Sequence, residues 1–210
     1  MRAILLVSAL GLASPALAAD ASQPHPHQGI APKFTDPKPT ELSAAEEAKL
    51  LAGEAVRKQI RYETGGRGVA IQDVHADPAR IWKTILDFPA YPSWIDQLEQ
   101  CEIYQKNGNH IFVRFQLSVL SMGVEYFINH TYLPDKGSMT WTLDYTRKSD
   151  LDDSTGYWLV YPAPGHDGYT RVEYTVDLRL SGWVPHMIED MLANKGLEKA
   201  TTWVKTQAER

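Results

Sequence analysis

Few side chains in this sequence combine a reactive type with a useful spacing. His130, Tyr126, Tyr145 and Glu125 could form an acid/base set, since an imidazole or phenol held against a substrate enol can carry its proton. No second carboxylate or orienting partner is legible beside them. The alternative stays open that they lie on a wet sheet face or orient a ligand. Cys101 is the sole cysteine and cannot form an internal disulfide. At the start of a strand pattern (CEIY), it reads as a packed thiol rather than a nucleophile. His25 and His27 lack thiolate or carboxylate neighbours and read as part of a solvated tail, not a metal site. Asp150, Asp152 and Asp153 crowd one turn, yet the calcium-loop pattern with its Gly and terminal Glu is missing, so a solvated acidic turn is expected. The G-x-S-x-G, H-E-x-x-H, C-x-x-C and Walker patterns do not occur. No catalytic residue, metal ligand or cofactor is assigned on these grounds.

Composition narrows the class of partner. The 210 residues are 43% hydrophobic and 22% charged, ordinary values for one globular domain with extensions. A net charge of −5, with no basic run interleaved with aromatics, argues against nucleic acid as a partner. Arg2, the apolar run Ala3 to Ala13 and the small-x-small step Ala16-Leu17-Ala18 read as a signal peptide over 1–18, cleaved after Ala18. The apolar run is too short for a permanent membrane span. A periplasmic or secreted protein is expected.

The elements that must position any site follow in order. Residues 19–40 carry Pro24, Pro26, Pro32, Pro37 and Pro39 and no apolar period, so an extended linker is expected. Residues 41–64 read as an N-terminal helix, opened by the Ser43/Glu46 capping box and docked on the domain surface. Gly65-Gly66-Arg67-Gly68 reads as a turn. A strand from Gly68 to His75 then opens the domain proper (65–210), and Asp77-Pro78 caps a short helix bearing Ile81, Trp82, Ile85 and Leu86.

Six further strands are expected at Cys101–Gln105, His110–Leu120, Val124–Leu133, Ser138–Arg147, Gly156–Pro162 and Tyr169–Leu180, joined by turns short enough to make antiparallel neighbours. The last alternates cleanly. Val172, Tyr174, Val176, Leu178 and Leu180 face one way, and Arg171, Glu173, Thr175, Asp177 and Arg179 face the other, which predicts one dry and one wet face. The strands carrying His130 and Trp141 are mixed on both faces, and their inward side is not legible. From Trp183 onward Val184, Met187, Ile188, Met191 and Leu192, then Ala200, Trp203 and Val204, predict one amphipathic helix of about six turns.

This layout resembles the START-like (SRPBCC) helix-grip superfamily, which includes polyketide cyclase/dehydrase-like, coenzyme Q-binding START-type and birch-pollen-allergen-like proteins. Asp77-Pro78-Ala79-Arg80-Ile81-Trp82, then Asp87-Phe88 through Tyr91-Pro92-Ser93-Trp94, is similar to the superfamily's opening. Gly156-Tyr157-Trp158-Leu159-Val160 and Thr170-Arg171-Val172 resemble two of its later strands. The resemblance spans about residues 65–210. It implies an α+β helix-grip fold: a curved antiparallel sheet of about seven strands wrapped on a long C-terminal helix, with short helices after the first strand.

The resemblance also implies a cavity for a hydrophobic small molecule, such as a lipid or isoprenoid quinone. Trp94, Phe115, Leu117, Trp158, Tyr174 and Val176 are candidates for its wall, with Met187 and Met191 on the closing helix. Tyr126, His130 and Trp141 are further candidates. Most such pockets are apolar with a few orienting polar groups. The leading expectation is an exported carrier, with transient membrane contact. Rivals are a cyclase, aromatase or hydrolase using the same cavity, and an interaction module whose cavity has collapsed. Ligand identity and oligomeric state are not encoded legibly.

Overall fold

The computed structural model describes residues 19–119, 122–180 and 196–210. The described elements are α1 (Ala44–Leu51), β1 (Val56–Tyr62), β2 (Gly65–Val74), α2 (Pro78–Ile85), a 3-10 segment (Phe88–Ser93), β3 (Leu98–Asn107), β4 (His110–Val119), β5 (Met122–Leu133), a 3-10 turn (Pro134–Lys136), β6 (Ser138–Leu143), β7 (Asp153–Pro162), β8 (Thr170–Arg179), α3 (Gly196–Lys199) and α4 (Thr202–Ala208). Among them no helix is long and apolar enough to cross a membrane.

All strands join one antiparallel sheet of eight, ordered β1-β2-β8-β7-β6-β5-β4-β3. Strands β3 to β8 follow each other as a meander, and β8 returns beside β2 along the full register Gly65↔Arg179 to Val74↔Thr170. The sheet is wrapped around α2, the 3-10 segment and α4. Asp77 caps α2 by accepting from the Arg80 N–H at 2.8 Å, and Ile81, Trp82 and Ile85 bury its apolar stripe against the concave face. In the described part of the C-terminal segment, α3 and α4 are separated by a turn at Ala200–Thr201. The earlier part of the expected helix, with Met187 and Met191, lies outside the described residues, as does the expected signal peptide. Leu197 of α3 seats on Gly68, where an added Cβ would lie 2.9 Å from its methyl carbons.

Several sequence readings are corrected here. The helix expected over 41–64 ends at Leu51, and Val56–Tyr62 is a strand. Local composition favours a helix, but β2 offers a free edge, and Val56 gains burial against Leu50 and Ile71 by pairing there. The chain reverses at Glu63–Thr64, so the glycines read as a turn lie inside β2. The sheet therefore starts before residue 65 and has eight strands rather than about seven. Likewise β6 stops at Leu143, and Asp153–Thr155, read as turn, begin β7.

The largest correction concerns the outer face of the sheet. Residues 19–43 are not a solvated linker but a strap across the convex side. Asp20 bridges to Lys148, the Ala31 N–H donates to Asp153 Oδ2 at 2.8 Å, Thr155 Oγ1 donates to the Pro32 carbonyl, and Phe34 packs edge-on to Tyr157. Proline suits such a strap because each one removes an N–H that would otherwise need a partner. His25, expected in solvent, is buried: its Nε2 donates to the Asp152 carbonyl at 2.8 Å and its Nδ1 accepts from the Ser149 N–H.

The strap and α1 cover the face of β8 that alternation marked as wet. Arg171, Glu173, Thr175 and Asp177 are all buried. Arg171 pairs with Asp73 at 2.7 Å and forks onto Glu47 of α1 with two 2.8 Å bonds. Glu173 accepts from the Thr40 N–H and hydroxyl and from Tyr161, and Asp177 is clamped by Arg67 and Arg179. Polar alternation survives burial here because each charge finds an opposite charge or a strap N–H.

Candidate functional site

Period-two alternation sends one residue set of each strand to the concave side, and the helices hold an aromatic lining against it. Phe115, Leu117, Tyr126, Trp141, Trp158, Tyr174 and Val176 all belong to, or pack against, this inner cluster, together with Trp94. The rings form a continuous band. Trp94 stacks on Trp203 (5.8 Å between centroids), Trp203 meets Trp158 (6.0 Å), Trp158 meets Tyr174 (4.7 Å) and Tyr174 stacks on Trp141 (5.4 Å). His130 continues it, 6.0 Å from Trp141, 5.0 Å from Phe88 and 6.2 Å from Phe115, which stacks on Tyr126 at 5.1 Å. Sequence reasoning left Phe88, Tyr91 and Trp203 out of the candidate wall, although it expected Tyr91 to be buried and Trp203 to lie on an apolar stripe. Their signal was present, in the aromatic, proline-rich Phe88–Trp94 stretch and the apolar stripe of the last helix.

Gly156 explains how the band closes between β6 and β7: the Trp141 indole lies over it, and a Cβ added there would come within 2.2 Å of the ring. The Trp141 N–H donates to Ser154 Oγ. Leu117, Tyr126, Tyr174, Val176 and Trp94 stay half-buried although they sit on the inner side. Burial nevertheless pushes the Tyr126 and Tyr174 hydroxyls well above the ordinary phenol value. These side chains thus keep some surface uncovered on the inner side of the sheet. At the β1/β2/β8 end, a small hollow of about 60 Å³ is bounded by Gly66, Gly68, Val176, Leu178, Leu180 and Arg61. An open groove of about 460 Å³ between Arg80, Lys83, Asp87 and Gln207 leads to Trp94.

The inner polar groups are neutral. His130 is buried, and its Nδ1 donates to the Ile111 carbonyl at 3.3 Å. Burial holds its pKa down at about 3, against which the carbonyl bond acts only weakly. The Cys101 thiol is buried beside Phe115 and Leu98 and pushed up to about 12 by desolvation. Tyr91 donates to the Ile85 carbonyl. By contrast, the buried charged side chains among the described residues (Asp73, Asp144, Asp153, Arg171, Glu173 and Asp177) all bond to partners on the convex side.

The acid/base set proposed from sequence is thereby split. His130 and Tyr126 face inward. Tyr145 and Glu125 lie on the other face, the first donating to Asp153 Oδ1 at 2.9 Å and the second paired with Arg114 at 2.9 Å. Asp150, Asp152 and Asp153 are not a solvated acidic turn: Asp153 is fully buried, and Asp150 accepts the Glu125 N–H. No group of residues with metal-ligating spacing occurs among the described residues.

Comparison with known proteins gives a consistent picture. A family model described as polyketide cyclase/dehydrase and lipid transport matches residues 68–208. Solved structures with a similar fold include the ZhuI aromatase/cyclase of a Streptomyces species, at 17% identity and TM-score 0.56, covering 74% of this chain and 95% of that one. A STAR-related lipid transfer protein from Xanthomonas axonopodis is similar at 11% identity and TM-score 0.60, covering 74% of this chain and 94% of that one. Human StAR-related lipid transfer protein 5 is similar at 10% identity and TM-score 0.52, covering 73% of this chain and 86% of that one. At such identities the likeness is one of fold. No curated protein matches the sequence.

Proposed function

The chain belongs to the polyketide cyclase/dehydrase and lipid transport family of START-like helix-grip proteins, and on that premise we propose that it is an exported carrier of a hydrophobic small molecule, of lipid or isoprenoid-quinone type, held against the concave face. The observation that carries this reading is the segregation of chemistry across the sheet. Buried charges sit on the convex side under the strap, while the concave side presents aromatic rings and neutral polar groups. Such a surface binds by area. At about 25 cal/mol per Å², burying on the order of 300 Å² of a guest gains several kcal/mol before ordering costs, enough for reversible carriage.

An enzyme acting on the same guest is the second reading, and His130 is the residue that would favour it. Its chemistry does not. A general base works best when its pKa lies near the working pH, and a buried imidazole held near 3 is a feeble proton acceptor. Among the described residues no carboxylate orients its ring, and the Nδ1 bond goes to a backbone carbonyl. Carriage is therefore preferred over cyclisation. Export rests on the leader-like residues 1–18, and from Asp20 onward the chain is tied to the sheet.

Native mass spectrometry of protein purified from its own host tests the reading. A co-purified apolar molecule of constant mass is expected; release of a chemically altered product would replace carriage by catalysis. Cell fractionation with N-terminal sequencing should find a mature chain starting at Ala19, and an intact cytoplasmic chain would remove export.

A further inference from the structure

We infer that the guest carries an uncharged head with both a hydrogen-bond donor and an acceptor, read by His130, Tyr126 and Tyr174. The inference rests on the binding reading above and adds the chemistry of the occupant.

His130 is 5% exposed, and its Nδ1 is committed to the Ile111 carbonyl. That bond requires the proton on Nδ1, which leaves Nε2 a bare acceptor, with no partner among the described residues. A bare acceptor on this face gains free energy when a guest donates to it. Its ring faces Phe88, Phe115 and Trp141, so the donor must arrive from the concave space.

Two hydroxyls share that space. Tyr126 and Tyr174 flank His130 through one intervening ring each, Phe115 on one side and Trp141 on the other. Neither hydroxyl has a hydrogen-bond partner among the described residues, in contrast to Tyr91, Tyr104, Tyr145 and Tyr161, which donate to protein oxygens. Each remains protonated and half-buried, hence a donor facing inward. One acceptor and two donors match a head that carries both a hydroxyl or N–H and a carbonyl.

Charge is disfavoured on the same grounds. The buried carboxylates and guanidinium of the described chain turn to the convex face, and among the described residues no buried charge on the inner side neutralises an ionised head. Arg61, on the concave side of edge strand β1, is exposed at the rim rather than inside the band.

Three chalcones of one skeleton supply the test, read by quenching of tryptophan emission from Trp94, Trp141, Trp158 and Trp203 and by calorimetry. The para-hydroxy compound offers donor and acceptor, the para-methoxy compound only the acceptor, and the para-carboxy compound an anion. The wild-type protein should bind the hydroxy compound at least about tenfold more tightly than the methoxy compound, and the carboxylate most weakly. His130→Leu should abolish the hydroxy-over-methoxy preference while leaving methoxy binding within about threefold, and His130→Gln, which keeps an acceptor, should restore part of it. Tyr126→Phe and Tyr174→Phe should weaken hydroxy and methoxy binding together. An unchanged preference in folded His130→Leu, or tightest binding of the carboxylate, overturns the head assignment while leaving carriage intact. If wild type binds none of the three and shows no quenching, the carrier reading falls and takes this one with it.

Discussion

The Trp141 indole lies directly across the backbone of Gly156, with its ring atoms 2.2 Å from where a Cβ would stand. The same absent methyl would also meet the Thr175 carbonyl oxygen at 2.2 Å. Glycine is thus required where β6, β7 and β8 bring the aromatic band closest to the sheet. Gly156→Ala should destabilise the fold by about 1–3 kcal/mol or more, since neither the ring nor the backbone can give way freely. Urea unfolding measures it. Adding Trp141→Leu should recover only the part owed to the ring, and a double-mutant cycle with no coupling would show that the indole is not the obstacle.

Arg171 is a buried cation on the opposite face. It is 2% exposed and shared between Asp73 and Glu47. Arg171→Met leaves the fully buried Asp73 with His166 as its remaining side-chain partner, 3.1 Å away, and should cost about 3–5 kcal/mol. Glu47→Gln, at a partly exposed position, should cost far less. Equal losses in the two variants would mean that Asp73 does not depend on the guanidinium.

His130 predicts a pH dependence. Its folded pKa lies near 3 and the ordinary histidine value is 6.5, so between these pH values the unfolded chain binds a proton that the folded chain refuses. Stability contributed by the neutral imidazole is fully present above about 6.5 and is lost as pH falls toward 3, at up to about 1.4 kcal/mol per unit. His130→Gln should flatten the stability-versus-pH curve in that window relative to wild type. Parallel curves would show that the imidazole titrates normally.

Cys101 should be chemically silent in the folded protein. Its thiol is buried and pushed up to about 12, so almost no thiolate exists at neutral pH. Iodoacetamide should label it at least about a hundredfold more slowly in buffer than in denaturant. Rapid labelling of native protein would place the thiol in an open position.

Much of this fold was written locally. The alternation of Ile111, Val113, Phe115 and Leu117, and of Val172, Tyr174 and Val176, gave their strands and inward faces directly, because a half-covered pleated sheet imposes period two. Asp77-Pro78 marked the start of α2, and short turns dictated antiparallel neighbours. Of the candidate wall, Phe115, Leu117, Tyr174 and Val176 followed from these patterns. The mixed strand of Tyr126 and His130 could not be oriented that way, since a polar side chain on either face satisfies alternation. Only its pairing with β4, which puts His130 opposite Ile111, turned the ring inward.

Two other features lay wholly in the tertiary structure. Val56–Tyr62 continues a helical composition from its N-terminal side, and it became a strand because the free edge of β2 supplied its backbone partners. Arg171, Glu173 and Asp177 read as solvated from their neighbours in sequence, and were buried by segments distant in sequence, among them α1 over Arg171 and the strap residue Thr40 on Glu173. Sequence periodicity reports which residues share a face. What comes to cover that face depends on contacts between distant segments, whose closure no local pattern records.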